Sequence, residues 1–133
     1  MTRQEIKNII EENGFFTTLD SEKDENLEYI ANAMSGISTS LSECDGNIFN
    51  VIGVYITKSN VGADNFRTVI ISDDGSLYSG NGNTVFEAIT GFISLFSKSE
   101  LRPNVENPLK IKVTMKSTIG NSSKKYPLLS ITK

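Results

Sequence analysis

Residues 71–83, ISDDGSLYSGNGN, set two aspartates, a tyrosine, three glycines and two asparagines between an apolar run and a helix-like run. A calcium loop needs oxygen ligands at alternate positions, a central glycine and a closing bidentate glutamate. Asp73 and Asp74 are adjacent, so that spacing fails. A phosphate cradle of the G-x-x-x-x-G-K-S/T kind needs a lysine after its last glycine, whereas Gly82 is followed by Asn83 and Thr84. Asp74-Gly75 remains as a hairpin signal, because a two-residue primed turn requires positive φ at its central residues. Tyr78 then lies just past a turn, where its ring is accessible.

The rest of the chain offers little for bond-making chemistry. There is no histidine, which removes the commonest general base and metal ligand. The single cysteine, Cys44, excludes an internal disulfide and cannot anchor a thiolate cluster. Glu43 and Asp45 flank it, but adjacent strand residues point to opposite faces, so Cys44 reads as a buried or incidental thiol. An enzyme is disfavoured, and no cofactor or metal is expected. With one cysteine, no basic start leading into an apolar h-region and no apolar run of membrane-spanning length, the expectation is a soluble cytosolic protein.

Charge is more informative. The net charge is −3, yet residues 1–66 hold 4 basic and 11 acidic side chains, and residues 67–133 hold 9 basic and 5 acidic. A split of this kind points to an acidic segment joined to a surface for polyanions. The cations concentrate in LKIKVTMK, residues 109–116. There Leu109, Ile111, Val113 and Met115 alternate with Lys110, Lys112, Thr114 and Lys116, so one face is core and the other cationic. Lys124 and Lys125 follow in the loop STIGNSSKK.

These side chains need a scaffold, and at 133 residues one compact domain with its own core is expected. TRQEIKNIIEENG predicts a helix opened by a Thr2/Glu5 capping box and ended by Gly14. Residues 17–26 are polar and acidic and read as a linker. LEYIANAM alternates in part and reads as a first strand, with ISTSLSEC able to pair back onto it. NIFNVIGVYITK is rich in β-branched and aromatic residues and predicts a long strand bent at Gly53. FRTVIIS predicts the next strand. TVFEAITGFISLFSKS carries Val85, Ala88, Ile89, Phe92, Ile93 and Phe96 at helical spacing behind a Thr84/Glu87 capping box. LKIKVTMK and YPLLSITK follow as strands, with Pro127 marking an edge or a strand start.

Three strands, a helix and two strands is the order of a five-stranded OB-like Greek-key barrel, a fold that binds oligonucleotides and oligosaccharides. The fold class expected is therefore mostly β, with one helix between strands three and four and an extra N-terminal helix. Residues 1–26 are assigned to that helix and its acidic linker, and residues 27–133 to the barrel.

DGSLYS at 74–79, TVFEA at 84–88, KIKV at 110–113 and SSKK at 122–125 resemble the single-stranded DNA-binding protein family of the protein-primed tailed Bacillus phages. The resemblance covers residues 66–133, and DGSLYS carries most of its specificity. This chain departs from the family in its acidic N-terminal region, in a longer link at 101–108, and in Lys125, where the family has glycine. The resemblance implies a cofactor-free protein that coats displaced strands during viral DNA replication in the infected bacterial cell, with Tyr78 as a base-stacking ring. Phage replication proteins are further partners it brings into view, and self-association into a homo-oligomer is left open.

The residues fit that mechanism on their own terms, since binding without sequence preference needs a cationic groove and exposed rings. Lys110, Lys112, Lys116, Lys124 and Lys125 supply the groove, and Arg67 and Lys58 extend it. Tyr126 is a candidate second platform. Tyr55 divides evenly between core and surface, while Phe49 and Phe66 read as core. A different class of function also fits the composition: a phage-encoded interaction module that inhibits a host nuclease or defence protein through the acidic side chains Glu11, Glu12, Asp20, Glu22, Asp24 and Glu25. The C-terminal lysines speak against a DNA mimic, which has no use for them.

Overall fold

A computed structural model describes residues 1–59, 65–96, 108–118 and 121–132. In chain order the elements are α1 (Arg3–Asn13), β1 (Phe15–Thr17), α2 (Asp24–Met34), β2 (Thr39–Ser40), a 3-10 turn (Leu41–Glu43), β3 (Ile48–Lys58), β4 (Phe66–Ser72), β5 (Leu77–Gly80), α3 (Asn83–Phe96), β6 (Leu109–Thr118) and β7 (Asn121–Ile131). All strands join one sheet of order β2-β5-β4-β3-β6-β7, with β1 on β3, and the sheet curls into a half-barrel. Strands β3 to β7 with α3 between the third and fourth give the expected OB-like order. No helix among the described residues is long and apolar enough to cross a membrane.

β3 is the pivot of the sheet. One of its edges pairs with β4, while the other pairs with β6 over Ile48–Val51 and with β1 over Tyr55–Thr57. The bend expected at Gly53 is present as a register shift against β4 between Val51 and Gly53. It changes which residues face which side: Val51 and Val54 join one core cluster, Ile52 and Tyr55 the other. Gly53 is needed there, because a Cβ at that position would lie 2.6 Å from Leu19 Cγ.

The inner cluster holds Phe49, Val51, Val54, Ile56, Ile70, Ile111, Val113 and Leu129 of the sheet. Helices α1 and α3 close over it with Ile6, Ile10, Val85, Phe86 and Ile89. α1 has the expected box: Glu5 N–H donates to Thr2 Oγ1 at 3.1 Å and Thr2 N–H to Glu5 Oε1 at 3.2 Å, and Gly14 ends the helix at φ 87°. Ile6 and Ile10 are 0% and 2% exposed. Burial of about 1.5–3 kcal/mol for each such side chain holds an 11-residue helix that would be marginal alone. Arg3 binds α1 to α3, donating to Thr90 Oγ1 at 2.8 Å and to the Glu87 carbonyl at 2.9 Å.

Several expected elements differ. LEYIANAM is not a strand but most of α2, because Asn26, Ile30 and Ala33, at helical spacing, form its buried face. That face lies on Ile52, Tyr55, Val69 and Ile71, outside the half-barrel. The strand lost there is replaced by β5, which follows the turn. ISTSLSEC does not pair with 27–34; Thr39 and Ser40 run parallel to Tyr78 and Ser79. Leu41, fully buried in the inner cluster, then fills the space beside β5 and β7. The Asp74-Gly75 turn is not primed, since only Gly75 has positive φ, at 86°. Gly75 N–H donates to the Ser72 carbonyl at 3.0 Å and Ser72 N–H to the Ser76 carbonyl at 2.9 Å, so three residues form the loop. α3 starts at Asn83, ahead of the expected cap Thr84. The backbone of Asn121–Lys125 belongs to β7 rather than to a loop, and among the described residues β7 pairs with β6 alone, an edge position that suits Pro127.

Candidate nucleic-acid interface

The alternation in β6 works as its residues dictate. Ile111 and Val113 are buried, and Lys110, Lys112 and Lys116 are exposed on the opposite face. Antiparallel pairing sets Ile48 opposite Lys112, Asn50 opposite Lys110, and, on the other side of β6, Ser130 opposite Lys112, Leu128 opposite Thr114 and Tyr126 opposite Lys116. Directly paired residues project to the same side about 4.5–5.5 Å apart. A half-buried aromatic ring therefore stands beside a lysine at one end of a cationic row. Among the described residues none of these three lysines is in an ion pair. Asp45, at the neighbouring turn, uses Oδ1 to accept the Met115 N–H at 2.9 Å.

Tyr78 sits elsewhere. It is the second residue of β5, opposite Ile70, and its half-buried ring packs on the inner cluster. It stacks on Phe49, with centroids 4.0 Å apart and planes at 30°. Tyr78 also lines an open cleft with Asn32, Ser35, Ile37, Ser38 and Leu77. The turn before it is stiffened by Asp74, whose carboxylate accepts the Ser76 N–H at 2.9 Å and is held below the usual carboxylate range by that bond. This gives the aspartate a structural task. The lysine row and Tyr78 thus belong to opposite faces of the sheet.

The other candidates are engaged by their surroundings. Arg67 lies beside α2 and donates to the Ala33 carbonyl at 3.1 Å and to Ser38 Oγ at 3.2 Å. Lys58 is paired with Glu11 at 2.7 Å, with both side chains well exposed. Tyr55 is 5% exposed beneath α2 and stacks on Phe15 at 5.3 Å; burial pushes its phenol up, and the Arg67 charge opposes this in part. Lys125 is exposed, but it pairs with Ser117 and so alternates with Tyr126 onto the other face of β7. The Lys124 side chain lies outside the described residues.

Sequence reasoning placed Phe49 in the core, where it is, but not beneath Tyr78. No local signal carries that stacking, which needs the β3–β4–β5 register. Phe66 is half-buried on Phe86, ring centroids 4.2 Å apart, with Lys7 Nζ 6.0 Å from its ring. Cys44 is 3% exposed, and burial, with the Glu43 charge second, raises its thiol pKa.

The arrangement sets three exposed cations in a row, a ring beside the last of them and a second supported ring on the other face of the sheet. Over residues 9–131 of 133 the chain matches the family described as Phage Single-stranded DNA-binding protein. No curated protein and no solved structure matches it.

Proposed function

The chain belongs to the phage single-stranded DNA-binding protein family, and on that premise we propose that it binds single-stranded DNA without sequence preference and coats strands displaced during phage DNA replication. It acts by binding alone, in the cytoplasm of the infected cell, with the phage replication machinery as its protein partner. The observation that carries this reading is the outer face of β6 and β7, where Lys110, Lys112 and Lys116 are exposed and, among the described residues, in no ion pair, with Tyr126 opposite the last of them.

Each phosphate met by a lysine releases condensed counterions, which drives binding whatever the base. A stacked base adds roughly 1–3 kcal/mol and tolerates any sequence, because every base has a π-face. Local cations decide this, so a net charge of −3 is no obstacle. Tyr78, braced by Phe49 and open to the cleft, is the second stacking position of this reading.

Titration of the intrinsic fluorescence of the four tyrosines, with no tryptophan to mask them, tests it. Oligo-dT is expected to quench strongly, duplex DNA weakly, and affinity to fall as salt rises. No response to oligo-dT at low salt would remove the reading.

A further inference from the structure

The outer face of β3, β6 and β7 leaves two large apolar side chains in solvent: Ile48 is 56% exposed and Leu128 40%. They flank the lysine row of β6 on its two sides, Ile48 from β3 and Leu128 from β7. Pairing places Ile48, Lys112 and Ser130 side by side across three strands, then Thr114 beside Leu128, then Lys116 beside Tyr126. Lys110 and Asn50 form one more row on the far side of Ile48. Successive rows are two residues apart along β6, about 6.6–6.8 Å, a spacing comparable to the backbone repeat of an extended single strand.

We propose that Ile48 and Leu128 are base-contacting positions, and that with Tyr126 they floor a track on which successive nucleotides of a single strand lie, one to a row, with phosphates directed to Lys110, Lys112 and Lys116. The inference rests on the single-stranded DNA reading above and deepens it. Charge decides the occupant. An apolar protein surface laid on this face would bury three lysines without partners, which is costly. A duplex supplies phosphates but keeps its base faces stacked away from Ile48 and Leu128. A single strand supplies both at one repeat. Four rows hold about four nucleotides, the low end of the range for one OB fold.

Because the contacts of Ile48 and Leu128 are apolar, their removal has a signature distinct from loss of a phosphate contact. Ile48→Ser and Leu128→Ser are expected each to weaken oligo-dT binding about three- to tenfold while leaving the slope of log affinity against log salt unchanged, whereas Lys112→Gln lowers that slope by about 0.7. Leu128→Phe, which enlarges the stacking surface, is expected to tighten binding at the same slope. Leu95→Ser, at an apolar side chain 65% exposed on α3, serves as the control that changes nothing. Wild-type affinity in both serine variants, with melting curves showing them folded, would overturn the track. Failure of the wild-type protein to bind oligo-dT would instead remove the reading beneath it.

Discussion

Tyr78 and Phe49 stack 4.0 Å apart at an angle of 30°, joining the third strand of the OB-like order to the first. Phe49 is 7% exposed and buried in the core, so Tyr78 is held by a fixed ring rather than by its own rotamer. A base meeting Tyr78 would meet a surface already ordered. Tyr78→Phe is expected to keep both stability and oligo-dT affinity. Tyr78→Ala is expected to lose about 1–3 kcal/mol of binding and to melt earlier, since the half-buried ring also packs on the core. A folded Tyr78→Ala protein with full affinity would confine the ring to packing.

The exposed lysines of β6 and the engaged Arg67 of β4, on the same outer face, should answer differently to salt. Lys110→Gln and Lys116→Gln are expected to lower the salt slope by about 0.7 each, the value for one phosphate on a single strand. Arg67→Gln is expected to leave the slope alone and to destabilise the protein, because its guanidinium is tied to the Ala33 carbonyl and Ser38 Oγ. Salt-series titrations with parallel melting curves separate the two.

Gly53→Ala places a methyl group 2.6 Å from Leu19 Cγ, against a side chain only 8% exposed. Overpacking of this kind costs about 1–3 kcal/mol. Denaturant unfolding is expected to show the loss, and a neutral result would mean that Leu19 yields freely.

Thr68 lies between Ile56 and Gly80 on β4, 0% exposed, and its hydroxyl has no hydrogen-bond partner among the described residues. A buried unsatisfied hydroxyl costs about 1–3 kcal/mol. Thr68→Val, of nearly the same shape, is expected to raise the melting temperature with DNA binding unchanged.

In an alkaline titration Tyr55 is expected to ionise above the ordinary tyrosine range, because burial raises its pKa. A raised folded pKa means that the folded state holds its proton more tightly than the unfolded chain. The corresponding stability is complete below the unfolded value and is lost as pH rises through the folded one. Absorbance of phenolate followed with unfolding checks both, and Tyr55→Phe should flatten the decline.

The residues of β6 show what was legible in advance. Lys110, Ile111, Lys112 and Val113 alternate without interruption, and both faces came out as written. α1 and the bend at Gly53 were also readable, because a capping box and a strand glycine are local signals. α2 was not, since LEYIANAM supports either period over eight residues, and its burial against Ile52 and Tyr55 is decided only in three dimensions. The four residues of β5 are too short to announce a strand. The face of Tyr55 was beyond alternation because the register shift after Val51 reverses parity within β3. That Lys116 meets Tyr126, while Lys125 turns away, follows from the β6–β7 register, which no single segment encodes.

The seam between the two ends of the sheet has one further implication. β5 and β7 are not hydrogen-bonded to each other among the described residues, and the space beside them is filled by Leu41 and the two-residue β2. A junction closed by a side chain can part without breaking a backbone ladder, whereas β3 with β4 and β6 with β7 cannot. Amide exchange should therefore be fastest along Thr39–Glu43 and slowest in β3 and β4. The half-barrel can widen along that one line and still keep its β6–β7 lysine face rigid.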